Sequence, residues 1–133
     1  MLAPDPTDPP SDAARVHFVK HLVDPDAFFF EGTTSGPASG TLISQILAET
    51  APETDRYRFL SFRWTVDAPA ASPATDTSFV AETHGTLDKT TGEVVMAGTV
   101  VSGWNTGTSV IERGQLTDAA TFTFEGDLVL IPQ

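Results

Sequence analysis

The chain has 133 residues, 40% of them hydrophobic, and a formal net charge of -11, which fits one domain with one core. Such a charge repels phosphate backbones and anionic lipid, so nucleic-acid and membrane partners are not expected. Cysteine is absent, which excludes disulfides, thiolate nucleophiles, iron–sulfur clusters and cysteine zinc sites; no cofactor is expected.

Residues 1–14 (MLAPDPTDPPSDAA) hold four prolines and three aspartates and almost no large apolar group. They read as a mobile tail, because they cannot bury enough surface to offset their ordering entropy. They lack the basic start and apolar run of a secretory signal, and no stretch reaches the eighteen or so apolar residues of a membrane span. The expected location is cytoplasmic, with a single domain over residues 15–133.

From Arg15 onward, short apolar runs alternate with turn residues. Candidate strands are 15–23 (RVHFVKHLV), 27–34 (AFFFEGTT), 39–48 (SGTLISQILA) and 55–66 (DRYRFLSFRWTV). Four more are 78–87 (SFVAETHGTL), 93–101 (EVVMAGTVV), 108–116 (TSVIERGQL) and 121–131 (TFTFEGDLVLI). They are rich in the β-branched and aromatic residues that suit a pleated, half-buried surface. The best helical competitor, 42–51, has no clear cap. Residues 67–77 (DAPAASPATDT) read as an exposed connection and 102–107 (SGWNTG) as a glycine-bounded loop. Short connections imply antiparallel neighbours. The expected fold is all-β: an antiparallel up-and-down barrel of about eight strands, with a two-sheet sandwich as the alternative. Closure is favoured because it removes exposed edges.

Counting across the hairpin loops predicts an interior. A four-residue loop ending on Gly92 sets Leu87 against Val94, so Phe79, Ala81, Thr83, Gly85, Leu87, Val94, Met96, Gly98 and Val100 share the inner face. In the last strand Phe122, Phe124, Gly126, Leu128 and Leu130 point inward. Taking 117–120 and 102–107 as loops puts Ile111, Arg113 and Gln115 inside. A one-residue slip in both loops would place Glu112 there instead. A charge in an apolar barrel needs a partner or a use. Arg113 is therefore the candidate catalytic cation, Gln115 its orienting neighbour, and Glu31 or Glu125 its carboxylate partner.

Trp64 shares a face with Leu60, Phe62 and Val66, and would form a cavity wall with Phe62, Met96, Phe122 and Phe124. Trp104, between glycines, would cover the mouth or form an oligomer contact. His17 and His21 lack an evident third metal ligand, and Glu82 with His84 reads as outer-face polarity. The Phe28-Phe29-Phe30 run places aromatics on both faces of one strand, which predicts a homodimer or other homo-oligomer.

The segments EGTTSGPASGTLISQIL and GTLDKTTGEVVMAGTVVSGW, followed by GQL and FEGDLVLI, resemble the allene oxide cyclase and dirigent-type β-barrels. The likeness covers roughly residues 26–131 and lies in short strands, glycines at strand ends and a closing F-x-G-x-L strand. It is a likeness of architecture, and no catalytic residue of those families maps onto this chain. It implies a barrel that binds an apolar small molecule and steers an isomerisation or cyclisation without a cofactor, as in natural-product biosynthesis. The alternative expectation is a non-catalytic, lipocalin-like carrier.

Overall fold

The computed structural model describes residues 13–69 and 76–131. The expected tail lies almost wholly outside the described residues, as does the middle of the 67–77 connection. Eight strands follow in order: β1 (Ala14–Asp24), β2 (Phe29–Ser35), β3 (Gly40–Ala51) and β4 (Tyr57–Asp67), then β5 (Phe79–Asp88), β6 (Glu93–Gly103), β7 (Ser109–Asp118) and β8 (Thr123–Ile131). Each pairs antiparallel with its chain neighbour, and β8 pairs with β1 to close the barrel. No helix occurs among the described residues, and none is long and apolar enough to cross a membrane. Residues 42–51 belong to β3. The all-β, up-and-down barrel expected from the sequence is the fold.

Strand alternation sends one face of each strand inward. Val16, Phe18, Phe30, Leu42, Leu60, Trp64, Val66, Phe79, Val100, Val110, Leu128 and Leu130 are all buried. Each large apolar side chain removed from water contributes about 2 kcal/mol. Ala68, at the start of the expected exposed connection, is buried too. Its amide donates to the Ser78 hydroxyl, and its carbonyl accepts from Thr77, which stitches that connection shut at its base.

Three hairpins at one end of the barrel share a construction. Asp24, Asp88 and Asp118 each accept two backbone N–H groups, from the residues two and three positions on. The fourth residue on has positive φ: Phe28 (49°), Gly92 (77°) and Phe122 (52°). This is an Asx turn closed by a left-handed residue. Thr54 does similar work between β3 and β4, accepting from the amides of Arg56 and Tyr57.

These turns correct the register expected for β7. The β7–β8 loop is 119–122, not 117–120, because Asp118 ends the strand and Phe122 takes the left-handed position. Leu116 pairs with Phe124, and a bulge follows. Between β6 and β7, Val100 rather than Val101 lies opposite Thr108. A bulge in β6 leaves Val101 without a partner in the β5–β6 register. Both shifts are by an odd number of residues, so both reverse the parity. Glu112 lies inside, opposite Met96 and Leu128, while Arg113 and Gln115 are exposed on the outer surface. The expected inner faces of β5, β6 and β8 are as observed. The Phe28-Phe29-Phe30 run also resolves differently. The left-handed turn swings Phe28 inward beside Phe30, and only Phe29 faces out, half-buried.

Candidate functional site in the barrel interior

The inward parity of β1 runs Val16, Phe18, Lys20. Lys20 is therefore carried into the barrel, where it is 5% exposed. Its Nζ donates to Ser44 Oγ at 3.0 Å. Around it stand the rings of Trp64 at 4.1 Å, Phe30 at 4.6 Å, Phe62 at 4.9 Å and Phe18 at 5.9 Å from Nζ to centroid. Such an aromatic cage holds an ammonium by cation–π attraction. Burial pulls its pKa down to about 8, against the opposing charge of Glu112.

Glu112 enters from β7 and is 1% exposed. Burial raises its pKa; Lys20, the Trp64 N–H and the Thr83 hydroxyl oppose that rise. Thr83 Oγ1 lies 3.5 Å from the carboxylate, a weak hydrogen bond. The Trp64 Nε1 donor is buried near Glu112 without meeting hydrogen-bond geometry to any partner. None of the ion pairs among the described residues joins Lys20 to Glu112. The interior thus holds an amine and a carboxyl group, both desolvated and not in ion-pair contact.

Lys20 and Glu112 line one void of about 20 Å³, together with Phe28, Phe30, Leu60, Phe62, Leu87, Val94, Met96 and Phe124. That volume takes one water-sized body. A second pocket of about 270 Å³ opens at the hairpin end, lined by Arg58, Leu87, Asp88, Lys89, Gly92, Leu116, Phe122 and Phe124. Leu87 and Phe124 border both spaces. The rings of Phe28 and Phe122, 6.0 Å apart, stand at this end and pack on Phe62 and Phe124 respectively. Each sits on a left-handed backbone that costs a non-glycine residue about 1 kcal/mol.

Basic residues gather here despite the acidic chain. Arg58 lies 5.0 Å over the Phe28 ring and pairs with Glu49, and its Nε is buried without a partner. Lys89 pairs with Glu53 at 2.7 Å, and Arg56 with Asp88 at 2.9 Å. The Arg56 side chain, aided by two backbone N–H groups, holds the Asp88 carboxyl down at about 2.

The structure places Phe62, Met96, Phe122 and Phe124 around these spaces, while Trp64 lines neither and packs on Lys20 and Phe18. It does not bring the expected polar residues there. Arg113 and Gln115 border a shallow groove on the outer wall with Glu93 and Glu125, and Gln115 donates to the Thr91 carbonyl. Glu31 is exposed, on the outward parity of β2 opposite His21 and Ile43. None of the three can act inside the barrel. Trp104 packs on Phe79 in the β6–β7 loop, at the opposite end from the two pockets, so it does not cover this mouth. His17 joins the outer β1–β8 seam, bonded to Asp127 and Glu125, and these raise its pKa. Glu82 pairs with Arg63, in keeping with outer-face polarity. Among the described residues no cluster of three His, Cys, Asp or Glu side chains is placed to hold a metal.

Sequence reasoning missed Lys20 and Arg58 as site residues and held Glu112 only as the alternative to Arg113. Lys20 carried a signal: it continues the Val16, Phe18 parity, where a charge is out of place. No family model matches the chain, and no curated protein matches it.

Proposed function

We propose that this barrel is a cofactor-independent isomerase or cyclase for a largely apolar small molecule bearing a carbonyl or carboxylate group. One observation carries the reading. A buried lysine and a buried glutamate line one void beneath an apolar mouth edged by cations. A buried titratable group with a shifted pKa beside a cavity is a candidate for catalysis.

The apolar body of the ligand packs on Leu87, Leu116, Phe122 and Phe124, with Arg58 or Lys89 available to an anionic end. Reaching the interior pair requires the Phe28 and Phe122 rings to turn aside. Glu112, as carboxylate, then takes a proton from the carbon beside the carbonyl, and the Lys20 ammonium stabilises the charge developing on oxygen. Phe62, Trp64 and Met96 form the wall that fixes the substrate's shape. The likeness to allene oxide cyclase and dirigent barrels adds fold-level analogy alone.

A lipocalin-like carrier is the second reading, favoured by one feature: the mouth pocket is apolar and larger than the void that holds the pair. Proton exchange separates the two. With 2-heptanone in heavy water, the expected result is protein-dependent deuteration beside the carbonyl, followed by proton NMR. Glu112→Gln should slow it about 100-fold. A ketone that raises the melting temperature without exchange above buffer supports the carrier. No melting shift and no exchange contradict both.

A further inference from the structure

We infer that Lys20 is a nucleophilic amine that forms an imine with an aldehyde or ketone substrate inside the barrel. This rests on the site reading above and names its substrate class. Lys20 is one of two lysines in the chain. The other, Lys89, lies at the mouth in an ion pair with Glu53. Lys20 instead lacks a direct carboxylate partner and lines the same void as Glu112.

The surroundings suit each stage of the reaction. The neutral Nζ attacks the carbonyl carbon, and a C–N bond forms. The carbonyl oxygen takes the proton released from nitrogen, giving a carbinolamine. The Glu112 carboxyl then protonates the hydroxyl, which leaves as water while the nitrogen lone pair closes the C=N bond. Amine and carbonyl thereby become iminium and water, with the carboxylate left opposite the new cation. Hydrolysis by the reverse path restores both residues.

The four rings around Nζ stabilise the iminium as they stabilise the ammonium. Burial disfavours the charged form of both groups, raising Glu112 and lowering Lys20 to about 8. A lysine desolvated in an apolar pocket is a recognised route to a reactive amine. The iminium then replaces the Lys20 ammonium as the charge that acidifies the neighbouring carbon, and Glu112, left as carboxylate, takes that proton.

The test uses the intact chain with heptanal and cyanoborohydride at about pH 8, read by intact mass and peptide mapping. The expected result is saturable labelling with about tenfold more adduct at Lys20 than at Lys89, slowed by excess 2-heptanone. Adducts confined to Lys89 and the chain terminus, with Lys20 labelled only after unfolding in urea, would overturn it. If 2-heptanone still raises the melting temperature in that case, the imine falls while the site stands. If it does not, both fall.

Discussion

Lys20→Met combined with Glu112→Leu should leave the barrel at least as stable as the parent, and up to about 3 kcal/mol more so, whereas either substitution alone should cost about 3 kcal/mol. Urea denaturation of the four chains gives the comparison. The asymmetry follows from burial. Each single change strands one polar group among aromatic rings with its counter-charge gone. The double change replaces both with side chains that the surrounding Phe18, Phe30, Phe62 and Met96 can pack against. The lysine contribution has a definite sign with pH. Its folded pKa, about 8, lies below the ordinary 10.5. Its stabilising contribution is therefore present above pH 10.5 and lost as pH falls through 8. Below that, burying the ammonium costs about 3 kcal/mol, which is 2.5 pKa units at 1.36 kcal/mol each. A stable double variant would show that the pair is retained at the expense of stability. If instead the two single losses simply add in the double variant, the residues are independent and the pair has no common role.

Gly98→Ala should be among the most damaging single-methyl changes in the sheet, costing about 3 kcal/mol or more. Gly98 faces inward on β6 opposite Thr83. A Cβ there would lie 1.8 Å from the Glu82 carbonyl oxygen, so neighbouring backbone must part. Gly126 is in the same position against the Arg113 carbonyl, at 2.0 Å. Glycine at these sites lets a strongly coiled strand approach its neighbour. Gly107→Ala is the control. It has positive φ but nothing within 4 Å of a new Cβ, so backbone strain alone should cost about 1 kcal/mol. Equal losses in the two variants would mean that the close approach at Gly98 relaxes freely.

The strand pattern was legible because eight runs of β-branched and aromatic residues are separated by turn chemistry. The short connections gave antiparallel neighbours, and closure followed because it leaves no strand edge exposed. The inner faces of β5 and β6 were legible for a specific reason: DKTTG ends on glycine, which announces a left-handed residue and fixes the count. DPDAF and DAATF build the same Asx turn but end on Phe28 and Phe122. A phenylalanine there reads as the first core residue of a strand, not the last residue of a loop. The β7–β8 hairpin was therefore miscounted, and the bulge at Val101 miscounted β6–β7 in the same sense. Arg113 changed places with Glu112 as a result. The expectation that a charge occupies the barrel survived, because both alternatives at that position were ionisable. Lys20 belongs to no motif, and only the alternation that turns His17 and His21 outward marks it as an inward residue.

The most direct measurement is a carbon-13 NMR titration of the lysine ε-methylene groups, of which the chain has two. With Lys20 desolvated in the aromatic cage, one signal should titrate near pH 8 and be displaced by ring currents. If no lysine signal titrates near pH 8, Lys20 stands in water and the account is contradicted.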